Sequence, residues 1–583
     1  MIAFSLLAAL AVLDECMALG GLQYIRPPSP LPSVRSVAYR NSLASVVKKD
    51  VVNVGNSTSA NTTSASPNAA IIPVVYSPVD QTYYSVISTG NASFRVALDS
   101  ASADFWLVSS ACKDKACSVP RYQLGYESST FTSVNGNQTA FNVSFADSTA
   151  ATGFVALESI QVANMTVPQQ AIGLVKSSNV TFNNDVSGVL GLGFPRLSRI
   201  FSSLANGTGT PFFATMAQQG QLAYPLFGLS LTLNSSGSLT LGAVDGSVVT
   251  NLSLIQWTEV VPFAPFLGSA DNTSSYLQWS IPLSGIQVNG TTLVPQPTYP
   301  NATSNSSLAL FDAGTSGIFG PYQDVSRIFS SIAGSRLVDS TTGQWVVPCD
   351  TSETISFQFS GNTYLLQPTD YLIGPASSSP DLCLSWPRAS QPSSDGIDWQ
   401  LGSPFLRTVY SVYSFGIDRK EPPMIGLYPL RNATAPPQSA DVVNAFFSTA
   451  SAAVTTNLPN VLLPTPSSLS VPPYTFNASI TAAQGKVVST GLATSTYSPV
   501  LVTSGHPNRT AILTVSPSPT VFTFVVTTNG ELVTSISSAA TPSLGQPPGW
   551  TSGAGRPVAI TPTIVTLLAG LLTAWTILTR IAL

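Results

Sequence analysis

Residues 94–108 read Phe94-Arg95-Val96-Ala97-Leu98-Asp99-Ser100-Ala101-Ser102-Ala103-Asp104-Phe105-Trp106-Leu107-Val108. Phe94, Val96 and Leu98 alternate with period two, the pattern of a half-buried strand, and the alternation stops at Asp99 in a run of small residues that suits a turn. About 210 residues later the pattern returns, with Leu308, Leu310 and Phe311 leading into Asp312, Ala313, Gly314, Thr315 and Ser316. That interval is the spacing of domains, not of solenoid units. Two strands that each end in an aspartate can bring those aspartates face to face across a cleft. Taken singly, an aspartate in such a turn is most often a cap for nearby backbone N–H groups.

Composition narrows the chemistry. The chain has 583 residues, enough for more than one packed unit, yet only 9% are charged and the net charge is −4. A basic patch for phosphate neutralisation is therefore missing, and nucleic acid is excluded as a partner. The one histidine, His506, lies among Ser, Thr and Pro near the C-terminus. Neither a Ser-His-Asp nor a Cys-His pair can be assembled in the main domain, nor a His-rich zinc site, so if the chain is an enzyme, carboxylates must carry the proton transfer.

The ends and the cysteines point outside the cell. Ile2 to Leu13 is an apolar run followed by a small-residue exit near Ala18, which predicts a signal peptide over 1–18. Val558 to Leu583 is almost wholly apolar and follows the small residues Ser552, Gly553, Ala554 and Gly555. We read 556–583 as a lipid (GPI) anchor signal with Ser552 and Gly553 as attachment candidates; a single spanning helix is the rival reading. Seventeen Asn-x-Ser/Thr acceptors, among them Asn56, Asn61, Asn142, Asn234, Asn305 and Asn508, fit a secreted glycoprotein. Cys16 falls in the signal segment, which leaves Cys112 with Cys117 and Cys349 with Cys383 as two sequence-local pairs expected to be disulfides. The spacing of the first pair is not a metal-binding pattern.

Composition also divides the chain. Residues 19–70 form a propeptide or disordered lead-in that contains the dibasic Lys48-Lys49. From Pro73 to about Arg431 short Val, Ile, Leu, Phe and Tyr runs alternate with Gly, Asn and Ser turns, which predicts a mainly β domain pair over 71–255 and 256–431. Residues 432–555 are rich in Ser, Thr, Ala and Pro and read as a glycosylated stalk, with strand-like alternation between Ala511 and Ser537 that suits a small β module.

Taken in order, these motifs resemble the pepsin family. Val96 to Val108 is similar to the family's first Asp-Thr-Gly-Ser loop with its Trp, and Ala309 to Ser316 to its second Asp-Thr-Gly-Thr loop. Ser187 to Gly193 and Trp399 to Tyr410 resemble the segments that cross beneath each loop, and the cysteine pairs fall where the family has its disulfides. The resemblance implies an all-β, bilobal fold with a central cleft, followed here by the Ser/Thr-rich stalk. It implies that Asp99 and Asp312 share one proton, activate a water and hydrolyse peptide bonds in acid, with no metal and no cofactor. Val143 to Ser148 resembles the flap over the cleft, with Phe145, Ala146 and Asp147 at its tip. The expected partners are protein or peptide substrates and, through the C-terminus, a membrane or cell wall; a monomer is expected.

The loops depart from the family at Ser100, Ala101 and Ala313. In the family two threonines cross-link the loops. Ser100 keeps one hydroxyl, Ala313 has lost the other, and Ala101 adds a methyl group where the family has glycine. A second reading follows: a catalytically weak or inactive pepsin fold kept as a surface glycoprotein with a binding or structural role.

Overall fold

The computed structural model describes residues 68–450 and, beyond them, 488–517, 521–528, 531–538 and 543–547, with short interruptions of which 263–274 is the longest. The signal segment, the lead-in up to residue 67 with Lys48 and Lys49, and the anchor signal with Ser552 and Gly553 lie outside the described residues. Among those described, no helix is long and apolar enough to cross a membrane.

The alternation read at residues 94–99 forms the strand Ala92–Asp99, with Phe94, Val96 and Leu98 fully buried. This strand lies parallel to Val186–Gly191, with Asp99 opposite Gly191. On its other edge Val186–Gly191 pairs antiparallel with Phe105–Val108. The chain therefore leaves Asp99, turns, and comes back on the far side of a crossing strand. The second unit repeats the arrangement: Ser307–Phe311 runs parallel to Trp399–Leu401, which pairs antiparallel with Ile318–Pro321. Each crossing strand exits under its loop through a glycine. A Cβ at Gly191 would sit 2.4 Å from the carbonyl carbon of Ala103, and one at Gly402 would sit 2.2 Å from the carbonyl oxygen of Thr315. No side chain fits in those gaps.

Six strands drawn from both lobes make a shared antiparallel floor, in the order Gln256–Glu259, Met424–Pro429, Val409–Ser414, Leu226–Ser230, Gly237–Leu241 and Ala70–Ser77. The last of these begins at Ala70, within the segment expected as lead-in. At the centre of the lobe junction Trp279 is fully buried, its ring 4.3 Å from Phe194 and 4.8 Å from Phe415. Its indole N–H donates to the Leu192 carbonyl at 3.0 Å, so one side chain ties the second lobe to the crossing segment of the first. Burying an aromatic of this size contributes roughly 3–5 kcal/mol relative to alanine. Disulfides join Cys112 to Cys117 (S–S 2.04 Å) and Cys349 to Cys383 (2.08 Å), one within each lobe.

The region read as a stalk departs from that expectation. Ala440–Ala450 is a helix, and Leu492, Ala493, Leu501 and Ile512 are buried in the main core. Glu421, itself buried, accepts hydrogen bonds from the Tyr224 hydroxyl and from the N–H groups of Leu501 (2.9 Å) and Val502 (3.0 Å). Thr514–Val515 runs parallel to Val244–Asp245, and Gly545 N–H reaches the Ser93 carbonyl at 2.8 Å. A few apolar anchors and one carboxylate thus hold the described residues between 490 and 517 against the body, although the average composition of the region is that of a solvated linker. The alternation between residues 521 and 538 forms a hairpin, Val521–Thr528 with Glu531–Ser538.

Candidate active site

Asp99 and Asp312 stand at the ends of the two repeated strands and converge over Gly314. A Cβ built on Gly314 would lie 2.8 Å from Asp99 Oδ1 and 3.3 Å from Asp312 Oδ1, so those oxygens are no farther apart than the two lengths combined. That separation can be spanned by one water.

Each carboxylate rests in a local cradle. Asp99 Oδ1 accepts from Ala101 N–H at 2.9 Å and Asp99 Oδ2 from the Ser102 hydroxyl at 2.6 Å. Asp312 repeats this with Gly314 N–H at 2.9 Å and the Thr315 hydroxyl at 2.5 Å. The loops are also tied to each other by Ser100. Its buried hydroxyl donates to the Phe311 carbonyl at 3.0 Å and accepts from Ala313 N–H at 2.9 Å. Ala313 offers only a methyl group for the reciprocal link, so the cross-tie is one-sided. Ala101 is not among the residues with positive φ, so its added methyl group carries no left-handed backbone strain.

The cleft over the carboxylates is lined by Trp106, Phe145, Ala146, Leu197, Arg199 and Gln400 among others. Phe145 sits at the tip of the hairpin formed by Ala140–Ser144 and Ala150–Val162, its ring 6.4 Å from Trp106. Asp147 shapes the tip, accepting from Thr149 N–H at 3.0 Å and from the Thr149 hydroxyl at 2.6 Å. The disulfide residues lie outside the lining of this cleft.

Sequence reasoning passed over two residues. Asp104, five residues past Asp99, accepts from the Ser198 hydroxyl (2.5 Å) and from Arg199 N–H (2.7 Å), holding the start of the helix Arg199–Ser203. Burial pushes its carboxyl up to about 6, against the pull of those hydrogen bonds. Gln400, on the second crossing strand, donates through Nε2 to Asp312 Oδ2 at 2.8 Å and to the Thr315 hydroxyl at 2.6 Å. Asp104 lay in plain view inside the quoted loop; the signal for Gln400 was a polar residue in an otherwise apolar crossing segment.

Two β lobes built on the same strand, loop and crossing strand, with an aspartate from each at one cleft, define an aspartic-type endopeptidase. The family profile "Eukaryotic aspartyl protease" matches residues 82–421, and the chain belongs to that family. It is similar to an "Aspartic protease" of Phaffia rhodozyma, 28% identical over 337 residues that cover 57% of this chain and 73% of that protein. "Cathepsin E" of Mus musculus is 30% identical over 350 residues, covering 58% and 79% respectively. "Major aspartyl peptidase 1" of Cryptococcus neoformans is 27% identical over 350 residues, covering 58% and 67%.

Proposed function

We propose that Asp99 and Asp312 are the catalytic pair of an exported acid endopeptidase held at the cell surface by its C-terminus. The observation that carries the reading is the convergence of both Oδ1 atoms over Gly314 beneath the Phe145 hairpin. Two carboxylates this close do not both ionise cheaply, so in acid they share one proton. The ionised carboxylate takes a proton from a bound water, whose oxygen attacks the peptide carbonyl carbon; the protonated one gives its proton to the carbonyl oxygen. Collapse breaks the C–N bond as a proton passes to the departing nitrogen.

Export is supported by the two disulfides and by the exposure of the acceptor asparagines Asn142, Asn305 and Asn508. Surface attachment rests on the small residues at 552–555 and the apolar run that follows. Expression of the whole chain with release by a phosphatidylinositol-specific phospholipase tests the anchor: release into the medium is expected, and retention in the membrane fraction would favour a spanning helix. For the catalytic pair, replacing either aspartate by asparagine is expected to abolish acid proteolysis while the fold is retained. Cleavage that survives both replacements would refute the assignment.

A further inference from the structure

We propose that Gln400 is a positioning residue that biases the shared proton toward Asp99 and the negative charge toward Asp312; the inference rests on the catalytic reading of this pair. The two lobes supply their own control. In the strand registers Asp99 and Asp312 follow equivalent residues, since Leu98 pairs with Leu190 as Phe311 pairs with Leu401. One step back along each crossing strand stand Val189 in the first lobe and Gln400 in the second. Both are buried, yet only Gln400 has a polar group to give.

The contacts decide which way its amide points. The Thr315 hydroxyl already donates to Asp312 Oδ2, so both neighbours of Gln400 can only accept when Asp312 is ionised, and the amide nitrogen must face them. Asp312 therefore receives Gly314 N–H, the Thr315 hydroxyl and the Gln400 amide, against Ala101 N–H and the Ser102 hydroxyl on Asp99. A hydrogen bond donated to a carboxylate favours its charged form. Desolvation acts the other way, since Asp312 is 3% exposed against 9% for Asp99, and the Gln400 amide is the extra donor placed to offset that cost. Of the other groups lining the cleft, Arg199 on the first-lobe wall is a cation that works against this bias, so the amide must outweigh it. Tyr413, from the strand beneath, is a neutral phenol pushed up by burial first and then by the charge of Asp312, while Asp104 stands along the same wall as Arg199. In the resting enzyme the water is activated from the Asp312 side, and Asp99 polarises the substrate carbonyl.

The test compares the whole chain with Gln400→Leu and with Gln400→Val, which copies the first-lobe residue. Two readouts are taken across acid pH: the kcat/KM profile on a denatured protein substrate and the Tm. Loss of the amide is expected to move the acid limb of the profile toward neutral by roughly one pH unit, a roughly tenfold loss below the limb. The Tm gap between parent and variant is expected to be widest above the carboxylate range and to close as the pH falls, and to vanish in an Asp312→Asn background. A Tm gap that is the same at every pH, or an acid limb that does not move in an active variant, would overturn the inference and leave the catalytic pair standing. A parent that cleaves nothing but shows the pH-dependent gap would leave the Gln400 contact standing and remove the catalytic reading.

Discussion

The two aspartate loops use the same cradle but different supports. In each, the carboxylate takes a backbone N–H from two residues on and a hydroxyl from three residues on, at distances that agree within 0.1 Å: 2.9 and 2.6 Å for Asp99, 2.9 and 2.5 Å for Asp312. Around that shared unit the loops diverge. The first provides the only cross-tie hydroxyl found among these contacts, Ser100, and an apolar Val189 beneath; the second has Ala313 and the amide of Gln400. A cradle built from local bonds tolerates changes in the side chains it does not use, such as those of Ala101, which gives only its backbone N–H, and Ala313. The cross-tie is long-range and depends on one side chain.

The largest expected effect comes from the cradle's contents. Asp99→Asn and Asp312→Asn should each lower kcat/KM by about 10³-fold or more, read by steady-state proteolysis, with the denaturation midpoint little changed. Next comes the cross-tie. Ser100→Ala removes two buried hydrogen bonds between the loops and should cost about 2–3 kcal/mol in denaturant unfolding, whereas Ser102→Ala, which breaks a bond within one loop, should cost about 1 kcal/mol. Equal losses would erase the distinction between local and long-range support.

Acid should strengthen both lobes. Burial pushes Asp104 in the first and Asp398 in the second up to about 6. Because these folded-state values lie above the unfolded one, near 4 by ordinary aspartate chemistry, the folded chain takes up protons first as the pH falls. Stability is therefore gained as the pH drops through about 6 and levels off below about 4; it is lost again as the pH rises. Melting temperatures should climb by a few degrees between neutral and mildly acidic buffer, and Asp104→Asn with Asp398→Asn should flatten that climb. A Tm that falls over the same interval would contradict it. The smallest effect is expected from Ala313→Thr, which restores the missing hydroxyl and should add about 1 kcal/mol to stability by the same unfolding assay. Ala101→Gly, by contrast, should lower stability slightly, since Ala101 already has ordinary backbone angles.

What could be read ahead of the structure follows the same division between local and distant. The strand ending in Asp99, its copy at Asp312 and the glycines of the crossing segments were legible because each is a pattern within a few residues. Gln400 was not, since it meets Asp312 across 88 positions and looks, in its segment, like one polar residue in an apolar strand. The region after residue 432 misled for a related reason. Its Ser, Thr and Pro content describes the average, while Leu492, Leu501 and Ile512 join the main core, and Glu421, which with Tyr224 receives the backbone at Leu501, lies far back in the chain. Phe145 was legible as the tip of a hairpin, but its distance to Trp106 depends on how that hairpin folds over the first lobe.

The central claim is that the paired carboxylates hydrolyse peptide bonds even though the loops are tied from one side. The most direct measurement is cleavage of a denatured protein in acid by the folded chain freed of its N-terminal lead-in, with and without a statine-type mimic of the tetrahedral intermediate. We expect cleavage that rises as the pH falls below neutral and is blocked by the mimic. A correctly folded, processed protein that binds no such mimic and leaves the substrate intact at every acid pH would contradict the account, and the chain would stand as a pepsin-like fold kept for binding.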